Sequence, residues 1–304
     1  MTKFAFIFPG QGSQYVGMGK DLYDTYFEAK EIYDQAEAIL QFPLKKLSFD
    51  GPEPELRNTN ITQPAILVHS VVCLTLLKER GIEPTLACGH SLGEFSALYC
   101  ADVFDFESVL KIVKKRGELM FSEGLKKPGA MAAIIGLADE IVTDLCQNAD
   151  GIVVLANFNA PGQIVVSGEP AAVKKVCENA KQKGALKTVM LPVSGAFHSP
   201  LLKESAEEFK SFLKTFEFKP PKIPIIPNRT GNATSDLQEI QSALAEQLIN
   251  PVLWTKTILT VKNLGITHCI EVGPGRVLTG LVKRIAPDLN TINIGKLEEL
   301  EKIS

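Results

Sequence analysis

Ser91 lies in Gly89-His90-Ser91-Leu92-Gly93, a G-x-S-x-G pattern. Small residues at that spacing let a chain turn sharply from a strand into a helix and leave the serine hydroxyl accessible at the bend. The flanks agree: Thr85-Leu86-Ala87-Cys88 reads as a short buried strand, and Leu92 to Leu98 as a helix opening. On such an elbow the Leu92 backbone N–H points to where an oxyanion would form. A serine is a weak nucleophile and needs a base. The chain offers four histidines, His69, His90, His198 and His268. His69 falls in an apolar helical pattern and His268 opens a buried-looking strand, so both read as structural. His90 adjoins Ser91, but neighbouring side chains diverge on an elbow. His198, in the loop Gly195-Ala196-Phe197-His198-Ser199-Pro200 ahead of a helix, is the candidate base, with a plain loop histidine as the alternative.

Arg116 is the clue to the substrate. At about 100° per residue, Val109, Val113, Arg116 and Met120 share one helical stripe, while Lys111, Lys114, Lys115 and Glu118 fall opposite. A guanidinium facing an apolar side needs an anion. An internal Asp or Glu would serve, and the stripe alone favours that reading; a substrate carboxylate held in a bidentate clamp is the functional alternative. The loop Phe8-Pro9-Gly10-Gln11-Gly12-Ser13-Gln14 is Gly-rich but does not match a phosphate-binding loop, because Lys20 precedes Asp21 rather than Ser or Thr. Gln11 could offer amides to an oxyanion, or the segment is an ordinary Gly-rich turn.

Stepping outward, helical patterns are expected over Asp21 to about Leu40, from Thr62-Gln63-Pro64 to about Arg80, and from Phe106 to Ser122. Strands are expected at Lys3–Phe8, before the elbow, near Ile223–Ile226 and at His268–Val272, with a last helix ending near Ile285. After Lys126-Lys127-Pro128-Gly129 the order becomes β-α-β-β-α-β up to Pro192, a ferredoxin-like arrangement. The expected fold is therefore a large discontinuous α/β-hydrolase-like catalytic domain, residues 1–127 and 193–304, with an inserted small ferredoxin-like domain, residues 128–192.

Bulk composition bounds the function. A chain of 304 residues, 45% hydrophobic and 22% charged, can bury a sizeable core. A net charge of -3 argues against general nucleic-acid binding. No signal peptide is visible, since Pro9-Gly10 stops the first apolar run. The stretch Ala65–Leu77, broken by His69, Ser70 and Thr75, is too short for a membrane span. None of the six cysteines forms a C-x-x-C pair, so reduced thiols, no metal site and a cytoplasmic location are expected.

Taken together, the motifs resemble the malonyl-CoA:acyl carrier protein transacylases of fatty acid synthesis. The resemblance spans essentially the whole chain: Phe8–Gln14, Gly89–Glu94, Arg116, Asn159–Gln163, Phe197–Ser199, Gln247–Pro251 and Glu271–Gly275, in that order. It implies that Ser91 is acylated, that His198 is its base, and that Leu92 N–H with Gln11 forms the oxyanion hole. It also implies that Arg116 binds the free malonyl carboxylate, against the ion pair favoured by the stripe alone. Gln247 matches the position whose backbone carbonyl orients the histidine. Met120, Asn159 and Phe197 would lie near the acyl pocket, with Phe197 crowding an α-methyl group. Lys283 and Arg284, and more weakly Lys187, would dock the acidic carrier protein. Malonyl-CoA is the implied donor substrate, acyl carrier protein the transient partner, and no cofactor is tightly bound; a monomer is expected. The alternatives are an acyltransferase of a polyketide pathway, a serine thioesterase or hydrolase, and a non-catalytic carrier-protein-binding module.

Overall fold

A computed structural model describes residues 3–193 and 195–303. Its centre is a five-stranded parallel sheet built from β1 (Phe4–Phe8), β2 (Leu86–Gly89), β7 (Ile225–Ile226), β8 (His268–Val272) and β9 (Asn290–Ile294). In space the order is β7-β2-β1-β8-β9, which puts β1 in the middle. This is a doubly wound order, in which ligands bind beyond the carboxyl ends of the strands. The sequence of β1, Phe-Ala-Phe-Ile-Phe, suits that place because a central parallel strand is covered on both faces.

The second sheet is antiparallel, ordered β4-β5-β3-β6 from β3 (Ala130–Ile135), β4 (Val153–Ala160), β5 (Gln163–Gly168) and β6 (Lys187–Met190). Helices Asp139–Gln147 and Pro170–Gln182 complete the β-α-β-β-α-β order. Alternation along β3 explains how it joins two cores. Ala130, Ala132 and Ile134 pack under these two helices, while Met131 and Ala133 face the core of the larger unit. Strand β4 also touches the larger unit through its backbone: Phe158 N–H donates to Val252 O and Val252 N–H to Ala156 O, each at 2.9 Å. The α/β class and the two-sheet plan are those the sequence predicts.

Several boundaries differ. The helix expected from Thr62 begins at Thr59, behind Asn58 in an extended conformation, and runs to Glu79 with Pro64 in its interior. The polar run Thr59-Asn60-Ile61-Thr62-Gln63 carries no apolar period, so the sequence hid this first turn. The resulting 21-residue helix is long and apolar enough to cross a membrane, but 83% of its apolar window is buried inside the protein. Gly117 lets the helix Phe106–Lys126 approach it, since a Cβ there would stand 3.0 Å from Asn60 Cα. The pattern Asp21–Leu40 divides into Lys20–Thr25 and Phe27–Leu40 because Tyr26 is extended. Beyond Ile285 the chain adds β9 and a helix Leu297–Glu301 that the sequence reading did not include. All six cysteines are buried and free.

Candidate active site

The elbow is set by close packing. Strand β2 ends at Gly89 and the next helix, Gly93–Cys100, opens at Gly93. A Cβ on Gly89 would lie 2.1 Å from the Gly93 carbonyl, and one on Gly93 would lie 2.0 Å from Phe8 O. Between them Ser91 adopts φ 51, the left-handed region that costs a side-chain-bearing residue roughly 1–2 kcal/mol. Asn228, after β7, holds this turn. Its Oδ1 accepts the Ser91 N–H and its Nδ2 donates to Gly89 O, both at 2.6 Å. Leu92, buried, is the residue before the helix, where N–H groups lack intrahelical acceptors.

His198 comes from the loop after the small sheet and also has positive φ, 57. Its Nδ1 lies 2.9 Å from Gln247 O and 3.1 Å from Asn250 O. Two carbonyls there require a proton on Nδ1, which leaves Nε2 as the acceptor. Nε2 is 2.8 Å from Ser91 Oγ. Burial, with the charge of Arg116 added to it, pushes the imidazole down to about 3, so it rests neutral with Nε2 unprotonated. A carboxylate is thus replaced by backbone carbonyls as the orienting group.

Arg116 is fully buried in the middle of the helix Phe106–Lys126. Its partners are neutral. Nη1 donates to Gln63 Oε1 at 2.7 Å, Nε and Nη2 to Gln247 Oε1 at 3.2 and 3.0 Å, and Nη2 to Ser91 Oγ at 3.1 Å. Among the described residues no ion pair forms on it. The internal ion pair favoured by the helical stripe is therefore not what satisfies this charge. Burial pushes the guanidinium down to about 9, with Glu94 opposing, so it stays a cation at neutral pH. The guanidinium carbon Cζ lies over Phe95, 5.4 Å from the ring centroid.

These groups line a cavity of about 90 Å³ together with Gln11, Gln63, Met120 and Phe197. Gln11 turns its side-chain amide to Thr59 Oγ1 at 3.2 Å. Met120 accepts a contact from Gln63 Nε2 at 3.2 Å. Asn159 stands one step out, in an adjoining cleft of about 240 Å³, where its Oδ1 lies 2.8 Å from His90 Nε2. Gln247 thus does more than offer its carbonyl, because its side chain holds the guanidinium. Lys283 and Arg284 end the helix Val277–Ile285, and Arg284 bonds to Gln163 on the small sheet. Lys187 is exposed on β6.

Four participants escaped the sequence reading: Gln63, Glu94, Asn228 and Asn250. Glu94 carried a signal, being a charge on an otherwise apolar helix; it is 2% exposed and burial pushes its carboxyl up to about 7. Asn228 sits in Pro227-Asn228-Arg229-Thr230-Gly231, which reads only as a turn.

The acyl transferase domain family matches residues 5–293. The malonyl CoA-acyl carrier protein transacylase of Bacillus subtilis is 42% identical over 304 residues, covering 99% of this chain and 96% of its own. An acyl carrier protein S-malonyltransferase from Vibrio cholerae superposes with TM-score 0.95 at 41% identity, over 100% of both chains. A malonyl-transacylase solved with its type II polyketide acyl-carrier protein superposes with TM-score 0.95 at 39% identity, over 99% of this chain and 98% of its own.

Proposed function

Because this chain belongs to the acyl transferase domain family, we propose that it moves a malonyl group from malonyl-CoA to the phosphopantetheine thiol of acyl carrier protein, supplying fatty acid elongation. The observation that carries this reading is one serine oxygen within hydrogen-bond reach of both a neutral imidazole and a buried cation that has no carboxylate of its own.

His198 Nε2 takes the Ser91 proton as Oγ attacks the thioester carbonyl. The Leu92 N–H, at the start of a helix, and Gln11 stabilise the oxyanion. The tetrahedral intermediate collapses, the C–S bond breaks, and the CoA thiolate takes the proton from His198. The carrier-protein thiol then gives its proton to His198 and attacks the malonyl-serine ester; the C–O bond to Ser91 breaks, and Oγ takes the proton back from His198. Arg116 pairs with the free carboxylate throughout. It disfavours acetyl-CoA, which would leave the guanidinium unpaired in a dry site. The mechanism needs no metal or tightly bound cofactor, and the protein acts as a cytoplasmic monomer with the carrier protein as a transient partner. Lys283 and Arg284 form its docking patch.

Intact-protein mass after brief exposure to malonyl-CoA tests the proposal. A single malonyl adduct on the wild type, absent in Ser91→Ala and lost on adding carrier protein, is the expected result. Steady CoA release without an adduct would favour a hydrolase instead.

A further inference from the structure

We propose that Glu94 is a positioning residue which ties the nucleophile, the base and the carboxylate clamp into one unit by fixing the orientation of the Gln247 amide. The inference deepens the transacylase reading and rests on it for the identity of the acyl group.

Glu94 lies in the first turn of the elbow helix. Its Oε2 accepts two N–H groups, from Gln247 Nε2 at 2.7 Å and from the Asn228 backbone at 3.1 Å. Each of these partners reaches Ser91. Asn228 accepts its N–H, and Gln247 Nε2 donates to its carbonyl at 3.0 Å. Gln247 also reaches the other two functions, Arg116 through its side-chain oxygen and His198 through its backbone oxygen.

The chemistry of Glu94 explains why the amide is turned this way. An ionised carboxylate only accepts hydrogen bonds, and a guanidinium only donates them. A Gln between the two has one satisfactory orientation, NH2 towards Glu94 and oxygen towards Arg116. A neutral group at position 94 removes half of that instruction and permits a flipped amide whose NH2 faces the guanidinium. Placing the anion behind Gln247 has a second effect. It offsets the buried positive charge without occupying the face of Arg116 that a substrate carboxylate must reach. Of the charged groups on the surrounding elements, Arg116 is the one that acts on Glu94. Arg229 and Glu246, next to Asn228 and Gln247, pair with each other at 2.9 Å. His198 is neutral, as described.

The test compares wild type, Glu94→Ala and Glu94→Gln, with folding checked by circular dichroism and thermal melting. Two rates are read, formation of the malonyl-Ser91 ester and labelling of Ser91 by a fluorophosphonate, which needs the serine and histidine but no acyl recognition. The alanine variant is expected to form the ester about 100-fold more slowly, the loss typical of a misplaced reacting group, with a raised KM for malonyl-CoA. Fluorophosphonate labelling should slow by about tenfold. The glutamine variant should lie between; wild-type ester formation is expected to decline towards acid pH as Glu94 takes up a proton, and the glutamine variant should lack that decline. A folded alanine variant within about threefold of wild type in both rates overturns the inference. So does a glutamine variant that keeps the acid decline. If wild type forms no malonyl ester, the acyl assignment fails, and the fluorophosphonate comparison still decides the role of Glu94.

Discussion

Replacing Arg116 by Ala should erase the preference for malonyl over acetyl groups, with the smaller loss falling on acetyl transfer. The resting guanidinium already makes hydrogen bonds to Gln63, Gln247 and Ser91, all neutral acceptors. A malonyl carboxylate would add two charge-assisted bonds, each worth about 1.5–3 kcal/mol. Some of that is returned when the contact with Gln63 or Ser91 loosens, leaving about 3–4 kcal/mol. At 1.36 kcal/mol per decade this is a loss of roughly 10²–10³ in kcat/KM for malonyl-CoA. One part of the loss is common to every acyl group, because Nη2 also touches the reacting oxygen at 3.1 Å. That part is the worth of one hydrogen bond from a charged donor, roughly tenfold to 10²-fold. The informative quantity is therefore the malonyl-to-acetyl ratio, measured by competition of the two CoA esters for Ser91 with mass detection of each ester. Arg116→Lys should restore the ratio only in part, since a single ammonium cannot serve Gln63, Gln247 and a carboxylate at once. If Arg116→Ala slows malonyl and acetyl transfer equally, the guanidinium supports the serine rather than reads the substrate, and the clamp argument is wrong.

Three further outcomes follow from the same structure. Phe197→Ala should raise the methylmalonyl-to-malonyl ratio by about tenfold or more, the usual worth of one methyl group in an apolar site, because the ring lines the cavity beside Ser91 and Arg116; an unchanged ratio in a competition assay would show the ring to be indifferent to the α-carbon. Joint reversal of Lys283 and Arg284 to Glu should raise KM for carrier protein several-fold and leave KM for malonyl-CoA unchanged, whereas equal effects on both substrates would sink the docking assignment. His69 is buried and pushed down to about 4 from 6.5, so the unfolded chain binds a proton that the native state refuses. Stability should therefore fall as pH drops from about 6.5 towards 4, by about 3 kcal/mol from this residue, and urea denaturation of His69→Gln should show that much less acid sensitivity between pH 7.5 and 4.5. Identical pH dependence in the two proteins would contradict the assignment.

What the sequence disclosed, and what it withheld, divides along a physical line. The elbow was legible because it is local: two glycines, a short apolar run and a helix opening lie within a few residues of Ser91. The small sheet was legible because Ala130–Ile135, Asp139–Gln147 and Pro170–Gln182 each carry a clear period or start signal, and they fold over those residues. The partners of Arg116 were not legible. The helical stripe correctly turned the side chain inward, yet nothing local distinguishes a carboxylate partner from Gln63 and Gln247, which arrive from distant elements. Asn228 was hidden for the same reason, since a turn sequence does not say which strand end it faces. Strand β9, Asn-Thr-Ile-Asn-Ile, alternates only weakly and lies at the sheet edge, where half-buried polar residues blunt the period. Loop position pointed to His198 and Gln11 only as candidates, and the motif resemblance added roles for them and for Gln247; it included Glu94 in Gly89–Glu94 but gave it no role.

The position of β1 bears on how the chain is made. Strand β1, in the middle of the parallel sheet, is translated long before one of its two neighbours, β8. Phe4–Phe8 is aromatic, uncharged and strand-forming, the profile of a segment that pairs promiscuously when its edges are bare. Even the 156 residues from Ser91 to Gln247 take about 8–30 s to synthesise at ordinary translation rates, and β8 follows later still. Throughout that interval β1 has its neighbour β2 but its β8 edge is bare. Soluble yield is thus governed by how well the nascent chain is shielded before its C-terminal third emerges, a quantity separate from the equilibrium stability of the finished fold.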